Sequence, residues 1–514
     1  MNPEIENSRY RVAALCLVLV FCLQALLSLP KLSATPDELP HLSSGYSYWL
    51  TRDFRINPEH PPLAKLIAAI PLLMIRPKLD TTSEYWSEAI EYPFGFDFLY
   101  RNNADQLLFW GRVPMIALAA LGAIVTFLWA RDLFGPRAGV LALGLYAFSP
   151  NLLAHGTLVT TDVPLAVFST LTLYLFSKQG EQPTWRNSLC AGLALGAAMA
   201  SKFSGGLLPL LIAALSALRA WQSTDRKAQA LREIRNLFVM AIASLFVIEA
   251  SYLFSASPLL YFKNARLVNA NHIANYRYYL FGEFKEGGWW YYFLAAFAFK
   301  ATLATLVLMM LAAARMITRP IRDFGEIVLL LGIGFYVLVT SVGAGDLGVR
   351  YLLPIFPLVF VWLSRIVPDY WSNRLGRAVL FVLLAWQAWA GVSAFPNYIP
   401  YFNEMAGGAR GGIEILDDSN VDWGQGLKQA SEYVRNRGIK DVALYSFSPF
   451  DNPRYYGLPQ NQSWRPLLYK PPLPGVHIIS AHHLTRLRAL DPAWRKYKPV
   501  DRIGESLWVY RFDK

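Results

Sequence analysis

Asp37 and Glu38 stand side by side directly after an apolar run, in Thr35-Pro36-Asp37-Glu38. Carboxylates where water meets lipid can act as a general base and as a hydrogen-bonding or metal partner. The plain structural alternative is a helix start, because Pro36 suits a first turn and acids there complement the helix dipole. Further on comes Asn57-Pro58-Glu59-His60-Pro61-Pro62-Leu63-Ala64-Lys65. Its prolines fix the entry to a helix too short to span, which would lie in the interface or pack on a bundle. Lys65 falls one turn into that helix, where a snorkelling lysine is the ordinary outcome. Asp162, in Thr161-Asp162-Val163-Pro164, reads by itself as a helix cap. Lys202 and Arg350-Tyr351 stand at the ends of two apolar runs. Three cations, Lys65, Lys202 and Arg350, facing one cavity together with several acids would suit a phosphate ligand. His272, in Asn271-His272-Ile273, becomes a candidate metal ligand only if Glu59 or another acid lies beside it.

The elements that must position these residues are membrane helices. The chain has 514 residues, 54% of them hydrophobic and only 16% charged. A soluble chain of this size carries about a quarter charged residues, and charge is scarce where hydrocarbon makes it costly. The net charge of +12 does not point to nucleic acid, because the basic residues fall in short loops between apolar runs. Cys16, Cys22 and Cys190 lie inside those runs and read as small hydrophobes, with no disulfide framework implied.

About eleven runs are long enough to span a bilayer. They lie near 10–30, 107–129, 137–154, 161–177, 187–203, 205–221, 236–254, 290–313, 325–342, 349–366 and 377–395. The first, flanked by Arg9 and Arg11 and followed by no A-x-A site, reads as an uncleaved helix with its N-terminus in the cytoplasm. Arg131 and Arg137, Lys178 and Arg186, Arg219 to Arg235, Arg315 to Arg322, and Arg365 to Arg377 then share the inner side. Outside lie the segment 31–106, a loop between Phe254 and Gly288, and everything after 395. That last stretch mixes strand-like runs (Val442–Ser446, Val476–Ser480, Leu507–Tyr510) with a helix-like one after Trp423. The expected organisation is a polytopic α-helical membrane region over 1–395 and a small extracytoplasmic α/β domain over 396–514.

With these motifs in view, the chain resembles the protein O-mannosyltransferase superfamily, GT-C glycosyltransferases whose sugar is carried on a polyprenyl phosphate. The Asp37-Glu38 pair and the run His60-Pro61-Pro62-Leu63-Ala64-Lys65 carry the resemblance. Gly288-Trp289-Trp290-Tyr291-Tyr292-Phe293, Lys300, Arg350-Tyr351 and Asp422-Trp423-Gly424-Gln425 look like bacterial members of the group. The resemblance implies a GT-C architecture in a bacterial inner membrane, with the site on the extracytoplasmic face. It implies Asp37 as the catalytic aspartate that deprotonates the acceptor, and Glu38 as a group orienting acceptor or donor. His60, Lys65, Asp162, Lys202, Arg350 and Tyr351 become candidates for the donor phosphate. Glu59 matches an acid that helps hold a divalent metal in the related aminoarabinose lipid A transferases. The run around His272 looks like their metal-binding histidine segment, so Zn, Mg or Mn would be the cofactor. Where those enzymes have a lysine beside the acid, this chain has His60, as the mannosyltransferases do.

The expected reaction moves a sugar from a polyprenyl-phosphate carrier to a protein, lipid or glycan acceptor, with inversion. The leaving group is a stable phosphate anion, which needs cations more than an acid. Two other classes compete. A lipid or sugar transporter also places charge inside a helical bundle, but here the ionisable residues gather at helix ends and loops, with no paired internal repeat. A scaffold presenting the tail would use Asp417, Asp418 and Asp422 as a solvated acidic surface.

Overall fold

A computed structural model of the chain describes residues 3–181, 184–255, 257, 260–267, 276–321 and 323–513. Long apolar runs dictate helices here, because a backbone in hydrocarbon must satisfy its own hydrogen bonds. The helices that build the bundle and its mouth are α1 (Pro3–Ser28), α2 (Glu38–Thr51), α3 (Leu63–Ala69), α4 (Glu91–Tyr100) and α5 (Ala104–Phe134). They continue as α6 (Pro136–Ala147), α7 (Pro150–Gly156), α8 (Asp162–Glu181), α9 (Trp185–Ser201), α10 (Leu208–Gln222) and α11 (Arg226–Ser251). After these come α12 (Tyr292–Lys300), α13 (Leu303–Thr318), α14 (Phe324–Gly343), α15 (Ile355–Leu363) and α16 (Arg374–Ser393).

Among the described residues six helices are long and apolar enough to cross a membrane, or up to eight if each bent pair counts as one span. The bent pairs are α6 with α7, at 62°, and α12 with α13, at 112°. This is fewer than the eleven spans expected. The runs 161–177, 187–203 and 349–366 are helical but are not among the six or the bent pairs. The chain breaks at α6–α7 have a sequence cause, because Ser149-Pro150 cannot continue the preceding ladder.

Small residues let helices approach closely where the site needs it. A Cβ on Gly45 of α2 would lie 2.1 Å from the Lys65 carbonyl oxygen of α3, so α2 and α3 touch backbone to backbone. That contact fixes the residues leading α2 relative to those leading α3. On the other flank, a Cβ on Gly192 would fall 2.6 Å from Met240 Cα, and Ser244 Oγ donates to the Gly192 carbonyl at 2.9 Å. This is the close packing of α9 on α11 that small residues favour in membranes.

A two-stranded antiparallel hairpin, β1 (Arg277–Leu280) with β2 (Glu283–Glu286), precedes α12. The tail adds α17 (Leu427–Asn436), β3 (Val442–Tyr445), β4 (Gly475–Ser480), α18 (Ala481–Leu490), β5 (Asp501–Ile503) and β6 (Leu507–Phe512). Its sheet runs β3-β4-β6-β5, with β3 and β4 parallel and the other pairs antiparallel. Leu427, Ala430, Leu444, Ile478, Leu507 and Val509 form the core beneath it. The first part of the tail, 397–426, lies across the bundle mouth. There the Lys300 ammonium donates to the carbonyls of Ile399 at 2.7 Å and Asn420 at 2.8 Å.

Candidate active site

A cavity of about 320 Å³ opens at this mouth, lined by Glu59, His60, Asp162, Lys202, Arg350 and Tyr351 and, on its apolar side, by Leu165, Phe203, Leu207, Tyr336 and Val339. These polar side chains come from the turn before α3, the start of α8, the residue after α9 and residues 350–351; Asp37 is not among the lining residues and meets the wall through Arg350. Asp37 is the residue immediately before α2, and its side chain makes no cap hydrogen bond. The helix start read from the sequence is therefore present, without a side-chain cap. Arg350 Nη1 donates to Asp37 Oδ2 at 2.8 Å and lies 3.7 Å from Asp162 Oδ2. Lys202 donates to the other oxygen of Asp162. The Arg350 carbon lies 4.3 Å from the Trp423 ring centre and 5.1 Å from that of Tyr351, and the Lys202 ammonium lies 4.3 Å over Tyr351. Arg350 Nε is buried without a hydrogen-bond partner. Such a donor is an unused half of a guanidinium fork.

His60 enters the cavity from the turn before α3. Asn57, at φ +54°, starts that turn in the left-handed region, where asparagine is among the residues that sit most readily. The His60 ring lies 5.2 Å from that of His41, edge on. Burial holds His60 well below the usual imidazole range, and the neighbouring His41, Lys65, Lys202 and Arg350 add to this. His41 is likewise pushed down, to about 4, by burial. The cavity thus presents neutral imidazole, which can exchange hydrogen bonds with a ligand without adding charge.

Glu38 and Lys65 are placed differently from the sequence expectation. Glu38 is 0% exposed and does not line the cavity. Arg112 grips it bidentately, Nε to Oε1 at 2.8 Å and Nη2 to Oε2 at 2.6 Å, while the Thr35 and Val159 amides donate to the same oxygens. Burial alone would raise this carboxyl; the Arg112 guanidinium and the two amides outweigh it and hold Glu38 below its usual range. All its lone-pair directions face partners, so it is a strut under Asp37. Lys65 is also buried and also absent from the wall. Its ammonium donates to Tyr48 Oη at 3.0 Å and to the Asn57 carbonyl and side-chain oxygens at 2.7 and 3.1 Å. Burial lowers it to about 7. It therefore props the Asn57 turn that carries Glu59 and His60.

Glu59 lines the cavity, and beside it stands Glu91, a residue that the motifs do not single out. Asn57 Nδ2 donates to Glu91 Oε2 at 2.8 Å and to Glu59 Oε1 at 3.3 Å. Burial and the Glu59 carboxylate raise Glu91 to about 7. His272, the expected metal partner of Glu59, lies outside the described residues. Among the described residues no three histidine, cysteine or carboxylate groups converge as a metal site would require.

The tail closes the mouth. Ser33 donates its amide to the Gln425 carbonyl at 3.0 Å and its hydroxyl to the Gly424 carbonyl at 2.8 Å. Leu427 N donates back to Ser33 Oγ at 3.0 Å. The Asn420 side chain accepts from the Val349 amide at 3.0 Å and donates to Tyr292 Oη at 3.0 Å. Segment 417–427 is thereby bonded both to the residues leading into Asp37 and to those leading into Arg350.

Residues 104–231 match the family model described as dolichyl-phosphate-mannose-protein mannosyltransferase. No curated protein matches the chain. Among solved structures, ArnT from Cupriavidus metallidurans in the apo state is 14% identical and covers 98% of this chain and 98% of its own, with a TM-score of 0.50. The same protein bound to undecaprenyl phosphate matches at 14% identity over 96% of this chain and 97% of its own, with a TM-score of 0.49. The Saccharomyces cerevisiae Pmt1–Pmt2 protein O-mannosyltransferase complex, bound to the sugar donor, matches at 16% identity over 53% of this chain and 38% of its own, with a TM-score of 0.33. The chain therefore shares the fold of ArnT over nearly its whole length, and its residues 104–231 match the mannosyltransferase family model.

Proposed function

We propose that the protein is a membrane glycosyltransferase that moves a sugar from a polyprenyl-phosphate carrier to an acceptor at this cavity. The observation that carries the reading is Arg350. Its guanidinium joins Asp37 to Asp162 and keeps Nε unpartnered inside a cavity whose other cation is Lys202. An arginine whose fork is only part used, beside a lysine, fits a phosphate. The apolar side of the cavity, from Leu165 to Val339, suits the first isoprene units of the carrier.

In the proposed reaction the donor phosphate draws Arg350 and Lys202 toward its oxygens. The Arg350–Asp37 pair loosens, and Asp37 is left with a basic oxygen facing the acceptor. The acceptor oxygen or nitrogen forms its bond to the anomeric carbon as its proton passes to Asp37. The bond from that carbon to the phosphate oxygen breaks, and the carrier leaves as an anion held by the two cations. A single displacement inverts the anomeric centre. Asp162 positions both cations, Tyr351 stacks under them, and neutral His60 offers a hydrogen bond to sugar or phosphate. Glu38 and Lys65 act as supports. Glu59 remains the candidate ligand for a divalent metal; its expected partner His272 lies outside the described residues, and no three ligands converge among those described. The extracytoplasmic face of a bacterial inner membrane is the expected setting.

The test uses a radiolabelled polyprenyl-phosphate sugar and protein in detergent. Wild type releases sugar to an acceptor, whereas Asp37→Asn transfers about 10²–10⁴-fold more slowly with its elution and donor binding unchanged. A transporter would leave the sugar on its carrier in both. Transfer by Asp37→Asn near the wild-type rate would remove Asp37 as the base.

A further inference from the structure

We propose that the groove where α16 meets the tail binds a membrane phospholipid by its phosphate. The groove encloses about 650 Å³ and continues into a neighbouring hollow of about 430 Å³ that shares Arg410, Arg502 and Glu505. It shares no lining residue with the candidate active site.

Its position is that of a lipid headgroup. Phe381, Val382, Trp389 and Val392 form an exposed apolar stripe on α16, and Trp389, 68% exposed, sits in the helix's last turns. Tryptophan at that depth marks the boundary between hydrocarbon and headgroups. The stripe runs straight into the groove, whose wall includes Trp389 and Phe395. Acyl chains lying on α16 would therefore deliver a headgroup into it.

Its chemistry is that of a phosphate site. Glu404 accepts from the Trp386 indole at 2.8 Å, and Glu505 pairs with Arg502. Both carboxylates of the groove are thus engaged, as is Asp501 of the adjoining hollow, which pairs with Arg437 at 2.7 Å, whereas the Arg410 side chain has no hydrogen bond or ion pair among the described residues. Burial holds Arg502 below its usual range, and the Arg410 charge adds to this against the pull of Glu505. Two guanidiniums that sense one another across a hollow are relieved by an anion between them. The Tyr401 hydroxyl in the same wall is buried without a hydrogen-bond partner. Buried polar groups are rarely left so, and a phosphate oxygen would accept from it. An apolar stripe leading to a hollow with one uncommitted guanidinium, that of Arg410, selects a lipid over free phosphate, because only the lipid uses both.

The experiment is native mass spectrometry on delipidated protein titrated with phosphatidylglycerol. Arg410→Gln should weaken binding about fivefold, the worth of one basic residue at an anionic lipid surface. Arg410→Lys should keep most of it, and Lys440→Glu, an exposed change outside the groove, should leave affinity unaltered. Inorganic phosphate in millimolar excess should not displace the lipid. Arg410 is exposed, so Arg410→Gln tests the charge without disturbing the core. Arg410→Gln protein that binds phosphatidylglycerol as tightly as wild type, or full displacement by inorganic phosphate, would overturn the proposal. The readout is lipid affinity, so it stands or falls separately from sugar transfer.

Discussion

Two adjacent carboxylates have been given opposite jobs by their surroundings. Asp37 has 22% of its side chain exposed and one arginine partner at the cavity; Glu38 is sealed beneath it against Arg112. The sequence shows the pair but not the split, because Arg112 lies far along the chain, inside the apolar run of α5. A lone arginine in such a run was the available signal, since charge in a span implies a buried partner. The split gives a prediction. Glu38→Gln leaves the Arg112 charge buried and half-paired, which costs about 3–5 kcal/mol when one partner of such a pair is removed. That protein should be recovered in low yield with a lowered unfolding midpoint, while Asp37→Asn folds normally. Equal yields and midpoints for the two would refute the division of labour. Lys65 belongs to the same class of surprise. Its place one turn into α3 was legible, but its inward direction depends on the Asn57 turn and Tyr48, which only the folded backbone brings together.

At the scale of elements, the apolar runs and the strand-like stretches of the tail were readable because periodicity and hydropathy are local properties. The meeting of segment 417–427 with the mouth was not. Trp423 stacks on Arg350 through contacts whose donors, Ser33, Val349 and Lys300, come from three distant parts of the chain. Losing a cation–π contact of roughly 0.5–2 kcal/mol frees the guanidinium. Trp423→Ala should therefore weaken polyprenyl-phosphate affinity about two- to thirtyfold, read by equilibrium binding, and unchanged affinity would detach the tail from the site. The neighbouring Asp422 gives this segment a pH signature. It is fully buried, accepts from Ser480 Oγ and from the Gly424 amide at 3.0 Å, and is pushed up from an ordinary 3.8 to about 6 by burial. A raised carboxyl binds its proton more tightly in the folded than in the unfolded chain. Its contribution to stability is therefore lost as pH rises from about 4 through about 6. Asp422→Asn keeps the acceptor for Gly424 and removes the titration. Its unfolding midpoint should vary less between pH 4 and pH 7 than that of wild type, and an identical pH profile would show that Asp422 does not titrate in this window.

At the scale of the molecule, the two ends of the bundle differ in kind. One end is basic and knitted by ion pairs. Lys178 lies 3.0 Å from Asp132, Arg315 and Arg319 hold Asp369 at 2.6 and 2.7 Å, and Arg365 lies 3.3 Å from Glu326. Arg137, at this end, donates to Tyr10 Oη at 2.8 Å, which puts the start of α1 there too. The other end carries Asp37, the cavity and the tail. Lys31, just past the far end of α1, pairs with Glu432 of α17 at 3.8 Å, and Lys428 pairs with Asp105 at 2.9 Å. This separation follows from α1 crossing the bundle once and does not depend on the total number of spans. Basic loops are retained in the cytoplasm, so the tail and cavity should face outward. Tyr469 in the tail is 84% exposed, and Thr224, between α10 and α11, is exposed at the basic end. In a background where Cys16, Cys22 and Cys190 are replaced by serine, Tyr469→Cys should react with a membrane-impermeant maleimide in intact cells. In bacteria with an outer membrane, that membrane must first be made permeable. Thr224→Cys should react only after lysis. The reverse pattern would put the cavity in the cytoplasm, where acceptor and carrier would have to arrive from the opposite side.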